Sequence, residues 1–411
     1  MSRHLDDWLE RYILFTRNHE APTLYHLWSG ITAIASVLQR KCYSNWGSLG
    51  YVYPNLYVSL VGPPGGRKGS AMKIAKGMLQ QLEIQLGSDA LGSTQALYKE
   101  IMVAEETYLE HNGMPKMHKS LSVWSEEFQV FLNDRDPTLI ASLTDLFDCA
   151  DVWRYMTLKR GSEDVSNCWL TIIGAITPSL LQSKLSQDAV GGGLISRIIF
   201  VVGYGAIRRV ALPFYTEEEK ILKKHLIEDL QQIANFSGPF ILKNDFLRLY
   251  AQWYEHSNSK DGVDNEKFLG YNARRALHLK KLCLILSAAE SDAMEVRAWH
   301  FDKALSILKL TEFEMPNAFH GLGMATTANL MAKILNFIEG RNKITWKELL
   351  DRFYLDIDNT DVLRKFMEMA EQRGLVKKNV GIEDVTYIVI NKKKKKKSDD
   401  NLTSTIYKHL L

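Results

Sequence analysis

Apolar residues in the first fifty positions recur with helical spacing. Leu5, Trp8, Leu9, Tyr12, Ile13 and Phe15 form one stripe, and Leu24, Leu27, Trp28, Ile31, Ile34, Ala35 and Leu38 form a second. Pro22 and Thr23 mark the join, so residues 1–50 are expected to form an N-terminal helical segment. The pattern then changes. Leu56 to Val61, Leu121 to Trp124, Trp169 to Ile176 and Ile198 to Val202 are short apolar runs with little alternation, rich in β-branched and aromatic residues. Such runs fit strands buried on both faces of a parallel sheet. Between them, Ala71 to Leu86, Ser93 to His111 and Thr138 to Phe147 read as helices. Strand–helix repetition over residues 51–215 predicts an α/β core with right-handed crossovers.

Residues 216–318 read as helix after helix with no convincing buried strand, most clearly at Asn272 to Ser287 and Ala298 to Glu314. A helical subdomain following the core is expected. Over residues 326–391, Ala328 to Glu339, Thr345 to Phe353 and Thr360 to Arg373 are helical, and Gly374 stops the last of them. Leu375 to Asn379 and Val385 to Ile390 then read as strands around a Gly381-Ile-Glu-Asp turn. Three helices and a β-hairpin make the winged-helix pattern.

The 411 residues are too many for one ordinary domain, and 46% hydrophobic with 24% charged residues is globular composition. The net charge of +3 is uneven. Residues 392–411 form a Lys-rich tail with seven lysines against Asp399 and Asp400, leaving the rest of the chain with 44 basic and 46 acidic side chains. Any nucleic-acid surface on the body must therefore be a local patch. The tail is either a solvated run or a nonspecific phosphate contact. Cys42, Cys149, Cys168 and Cys283 lie far apart without a C-x-x-C pair, which excludes a disulfide scaffold and fits a cytoplasmic protein. No run approaches the ~20 apolar residues of a membrane span.

The most informative segment is Leu56-Tyr-Val-Ser-Leu-Val-Gly-Pro-Pro-Gly-Gly-Arg-Lys-Gly-Ser. An apolar strand enters a Gly/Pro-rich loop, and a Lys and a helix follow, which is the context of a phosphate-binding P-loop. Gly62, Gly65 and Gly66 let main-chain N–H groups wrap a phosphate, the helix start adds its positive dipole end, and Lys68 reaches the outer phosphates. Two positions depart from the motif. Arg67 replaces its last Gly, which is tolerable if that residue is not left-handed. Gly69 replaces the Mg²⁺-binding hydroxyl residue, leaving Ser70 as the nearest hydroxyl.

An ATPase also needs carboxylates for Mg²⁺ and for water. Leu121-Ser-Val-Trp-Ser-Glu-Glu-Phe ends an apolar run in Glu126, placed for the metal, and Glu127, placed as the base; a solvated helix start is the alternative. Thr177, at the exit of the strand Trp169 to Ile176, either meets the γ-phosphate and its water or shapes the turn before Pro178. Gly191-Gly-Gly-Leu-Ile-Ser-Arg sets Arg197 before a strand, as an arginine finger for an adjacent subunit or as a structural ion pair. Arg274 and Arg275 open the helix Asn272 to Ser287 and either close onto nucleotide or decorate a surface helix. Trp153-Arg-Tyr-Met-Thr-Leu-Lys-Arg-Gly reads as a hairpin whose Arg154, Lys159 and Arg160 beside aromatic rings suit single-stranded DNA; packing on the core is the alternative.

In this order, the motifs resemble the P-loop ATPases of phage and mobile-element replication modules, helicase-like proteins of the AAA+ superfamily akin to its minichromosome-maintenance branch. The resemblance spans roughly residues 20–310 and rests on Pro54-Asn-Leu-Tyr leading into the loop, Ser125-Glu-Glu-Phe, Ile176-Thr-Pro-Ser-Leu-Leu and Gly193-Leu-Ile-Ser-Arg. It implies ATP and Mg²⁺ as ligands, a ring that is often a hexamer, and movement along DNA. It would assign Lys68 to phosphate, Glu126 to Mg²⁺, Glu127 to water, Thr177 to sensing and Arg197 to the neighbour's ATP. Similar proteins often end in a winged helix, and a separate primase or polymerase is an expected partner. The winged-helix segment 328–390 holds ten basic and ten acidic side chains, so it lacks the one-sided footprint of a specific DNA reader. A helicase loader that does not unwind, and an interaction protein with an altered loop, are the competing functions.

Overall fold

The computed structural model describes residues 3–319 except 83, 90, 111–112, 133–136, 158–160, 185–192 and 257–261, and within 334–389 it describes 334, 337–338, 343–353, 360–372, 376–380 and 385–389. These residues divide into two units, one ending before Gly321 and one beginning there. The predicted segments 1–50, 51–215 and 216–318 fold together as the first unit.

A mostly parallel sheet organises that unit. Its strands are β3 (Tyr57–Val61), β4 (Leu86–Gly87), β5 (Glu105–Leu109), β6 (Pro115–Ser125), β9 (Cys168–Ile176) and β10 (Ile198–Val202). Their order is β10-β3-β9-β6-β4, all parallel, with β5 antiparallel on β6. β3, β9 and β10 are buried along their whole length, as unalternating apolar runs require. Pairing of Val61 with Ile176 and with Val202, and of Ser125 with Gly174, brings the carboxyl ends of four strands to one sheet edge. In open α/β sheets this edge is where ligands bind.

Helices cover the sheet. α1 (Trp8–Thr16) starts at Asp7, whose carboxylate accepts from the Leu9 and Glu10 amides. α2 (Thr23–Leu38) is buried from Leu24 to Leu38, so it is a core helix. Its Ser29, Thr32 and Ser36 hydroxyls are satisfied by carbonyls one turn back. α3 (Lys68–Gln81), α4 (Thr94–Val103), α5 (Pro137–Phe147) and α6 (Pro178–Lys184) connect the strands. α7 (Glu217–Ala234), α8 (Asn244–His256), α9 (Leu269–Glu290) and α10 (Ala298–Glu314) follow, with two-residue strands at Gly238–Pro239, Ile241–Leu242 and Glu295–Val296 between them. No helix among the described residues is long and apolar enough to cross a membrane.

Two expectations change. The helix expected over Ser93 to His111 stops at Val103, and β5 continues it as an edge strand with alternate residues exposed. Residues 1–50 are not wholly helical, because β1 (Cys42–Asn45) turns through Gly47 and Gly50, at φ 63° and 79°, to pair with β2 (Tyr51–Val52). The hairpin expected after Trp153 is present, as β7 (Val152–Thr157) paired with β8 (Gly161–Ser166).

The second unit contains β11 (Lys343–Thr345), α11 (Trp346–Phe353), α12 (Thr360–Gln372), β12 (Val376–Val380) and β13 (Val385–Val389). The strands form an antiparallel sheet ordered β11-β13-β12. Ile344, Leu349, Phe353, Leu363, Phe366 and Val376 are part of its core. β11 is a strand that periodicity did not reveal. The Lys-rich tail, Arg373 and most of the helix expected at Ala328 to Glu339 lie outside the described residues.

Candidate functional site

The loop after β3 is built by close approach. Tyr25 of α2 donates from its hydroxyl to the carbonyls of Val61 (2.8 Å) and Gly203 (3.1 Å), stitching the ends of β3 and β10 together. A Cβ at Gly62 would stand 2.3 Å from that hydroxyl and 2.6 Å from the Gly203 carbonyl, so only glycine fits. The chain turns through Gly65 at φ 71°, and Gly66 donates to the Pro63 carbonyl at 3.0 Å. Lys68 opens α3 and folds its ammonium back onto the carbonyls of Gly62 (2.7 Å) and Pro63 (2.8 Å). The side chain is buried, and desolvation lowers its pKa. These weak neutral partners are ones that a phosphate can replace.

Arg67 is left-handed, at φ 62° and ψ 18°. The condition on which a non-glycine there would be strain-free is not met, and the conformation costs about 1–2 kcal/mol. The guanidinium is drawn away from the loop by Glu20, at 2.6 Å.

Glu126 does reach the loop helix. A Cβ at Gly69 would lie 2.8 Å from Glu126 Oε2, so the missing side chain at position 69 is what admits this carboxylate. Lys73, one turn further along α3, pairs with Glu126 at 3.1 Å. Ser70 is exposed and lines a different cleft, beside Arg67 and Glu20. No hydrogen bond joins Ser70 to Glu126 among the described residues. Glu127 is exposed beside Glu126, and its amide donates to Ser125 Oγ at 3.1 Å.

Thr177 follows β9 at the same edge. Its hydroxyl lies 3.2 Å from Ser179 Oγ and accepts from the Leu180 amide at 3.4 Å, a turn-shaping role at the start of α6. Arg197 precedes β10 and so sits at the opposite end of the sheet, about 16 Å of strand from the loop. It is buried, donating to Asp148 (2.6 Å) and to the Gly193 carbonyl (2.8 Å). Arg274 is half-buried near it; burial, then the Arg197 charge, lowers its pKa. Arg275 is turned inward. Its guanidinium grips both oxygens of buried Glu312, at 2.6 and 2.9 Å, and the Tyr271 hydroxyl adds a third bond at 3.1 Å. On the hairpin, Arg154 pairs with Asp164 across the strands, while Lys159 and Arg160 lie outside the described residues.

Next to the loop opens a cleft of about 710 Å³, between the α1–α2 turn and residues 208–216. Its wall includes Asn18, His19, His26, Arg208, Tyr215 and Glu219. No family model and no curated protein matches this chain. The site is thus read from its own geometry. Glu20, Tyr25 and His26 were missed by sequence reasoning because they sit on or beside an apolar helical stripe, where periodicity signals only core.

Proposed function

We propose that the chain is a P-loop ATPase of the AAA+ kind, hydrolysing ATP with Mg²⁺ and using the cycle to move along or remodel DNA in replication of a mobile element. The observation that carries this reading is the placement of Lys68, Glu126 and Glu127 at one edge of the parallel sheet, with β9 between the loop strand and the acidic strand. Two strand spacings, about 10 Å, separate β3 from β6, and the Glu126 side chain crosses part of that distance to reach Gly69. Main-chain amides of Gly65, Arg67 and Lys68 and the α3 dipole would hold the phosphates, and Lys68 would exchange two carbonyls for phosphate oxygens.

Mg²⁺ fits this site without the usual hydroxyl. The cation is normally held by one or two carboxylates with substrate phosphates and waters, and the space at Gly69 admits Glu126 beside the helix start. When bound it would neutralise charge on the phosphates. Glu127, exposed and held by its main chain, would orient water and take its proton. The helices of residues 217–314 are read as the lid, and the second unit, with β11 pairing the β12–β13 hairpin, as a winged helix.

Arg197 favours a second reading. A finger must be free to reach a neighbour, yet Asp148 and Gly193 hold this one inward. A nucleotide-switched loader that binds DNA without unwinding needs no such finger. ATPase turnover measured with and without single-stranded DNA, beside strand separation of a tailed duplex, decides: turnover with unwinding supports the motor, stimulated turnover alone supports the loader, and no turnover removes both.

A further inference from the structure

We propose that His4, His225 and Glu228 form a binding site for a transition-metal ion, Zn²⁺ by its donor set, which clamps the segment before α1 to α7. Among the described residues they are the one group of three such side chains whose ligand atoms all lie within 4.8 Å of one another. His225 and Glu228 stand three residues apart on α7, which puts them on one helix face. His4 comes from the segment that precedes α1. Its Nε2 lies 3.3 Å from Glu228 Oε2, and its ring stacks on that of His225 with centroids 4.5 Å and planes 5° apart. Tetrahedral zinc bonds nitrogen and oxygen at about 2.0–2.2 Å, which sets neighbouring ligand atoms about 3.4 Å apart. The His4–Glu228 separation already meets that spacing. The two imidazoles reach it by tilting about χ2, a torsion with a broad well.

The backbone that carries these ligands is fixed. Asp229, fully buried beside Glu228, accepts from the amides of His4 (2.9 Å) and Leu5 (2.8 Å). On the other side of His4, the Arg3 guanidinium donates to the carbonyls of Ala288 (2.7 Å) and Ala289 (2.9 Å) in α9. Trp8 of α1 donates from Nε1 to the Leu226 carbonyl at 2.7 Å, one residue from His225. None of these bonds uses the His4 imidazole, so the ring is held over α7 with its nitrogens open to an ion. Such support from neighbouring carboxylates and main chain is what preorganises a metal site. His4 is exposed and the other two ligands are half-buried, so water can supply a fourth ligand. Two imidazoles and one carboxylate select zinc and its transition-metal neighbours over Mg²⁺ and Ca²⁺, which prefer oxygen alone. Lys224 competes for the carboxylate, at 3.7 Å from Glu228 Oε1, but an exposed pair of that length is weak and an ion displaces it.

The test is calorimetric titration of the nucleotide-free full chain with Zn²⁺ under excess Mg²⁺, beside thermal unfolding with and without Zn²⁺. Wild type is expected to bind Zn²⁺ and to unfold at a higher temperature in its presence, since the ion binds only where the two segments are docked. His4→Ala and His225→Ala should each weaken that binding at least tenfold, by about the loss that even a supporting residue causes, and should lose the thermal shift. His4 enters the fold through its main-chain amide, so His4→Ala keeps the bond to Asp229 and decides the matter if His225→Ala does not fold. Co²⁺ in place of Zn²⁺ should give wild type the visible absorption of a tetrahedral site, and His4→Ala should lack it. No Zn²⁺ binding by wild type, or binding by His4→Ala as tight as that of wild type, overturns the site and leaves the phosphate loop standing.

Discussion

Replacing Arg275 separates structure from function at a residue whose sequence position suggests nucleotide contact. Arg275→Ala leaves the Glu312 carboxylate, 6% exposed as a residue, with only the Tyr271 hydroxyl as partner. Two charge-assisted bonds of 2.6 and 2.9 Å are lost from a site closed to water. Removing one partner of a buried ion pair costs about 3–5 kcal/mol, because the other charge stays behind without compensation. Replacing both, as in Arg275→Met with Glu312→Leu, should cost much less, since no charge is then stranded. Urea unfolding of wild type, Arg275→Ala and the double variant measures the effect, and ATP titration of the folded fraction accompanies it. A large stability loss is expected for Arg275→Ala, recovery in the double variant, and little change in ATP affinity of folded protein. A single variant as stable as wild type but unable to bind ATP would refute the structural role and restore Arg275 to the nucleotide.

Other outcomes follow from the same geometry. Burial lowers the Lys281 pKa to about 8, below its unfolded value, so the unfolded chain binds more protons between about pH 8 and 10; stability should rise with pH across that window, and Lys281→Met should diminish the rise in unfolding titrations. Gly62→Ala should destabilise the fold by displacing Tyr25 or Gly203, whereas Gly69→Ala should leave stability within about 1 kcal/mol yet weaken Mg²⁺-dependent nucleotide binding, since only the flexible Glu126 must move. Asp164→Asn frees Arg154 from its cross-strand pair and, if the hairpin meets DNA, should steepen the salt dependence of single-strand binding by about one phosphate contact; an unchanged slope removes Arg154 from the DNA surface.

The sheet was legible in the sequence because β3, β9 and β10 are buried on both faces and leave unbroken apolar runs. The loop was legible because a strand, small residues, a Lys and a helix coincide. Legibility fails where local pattern and tertiary pairing disagree. β5 alternates exposed and half-buried residues and becomes a strand only because β6 offers an edge. Ser70 was chosen by proximity in sequence, but consecutive helix residues diverge by roughly 100°, so it faces the cleft while position 69 faces Glu126. Arg197 and Arg275 carry the residue type of a phosphate contact, and nothing in the chain around them announces Asp148 or Glu312 as partners. His26 sits beside an apolar stripe, and its solitude is visible only in three dimensions.

If the loop holds nucleotide, Lys68 must release the carbonyls of Gly62 and Pro63 to hold a phosphate. Titration of wild type and Lys68→Ala with Mg²⁺-ATP tests that directly. Loss of a charge-assisted bond should weaken binding by about 10- to 100-fold in a variant that unfolds at the same denaturant concentration. Equal affinities for the two folded proteins, or no binding by wild type, would contradict it.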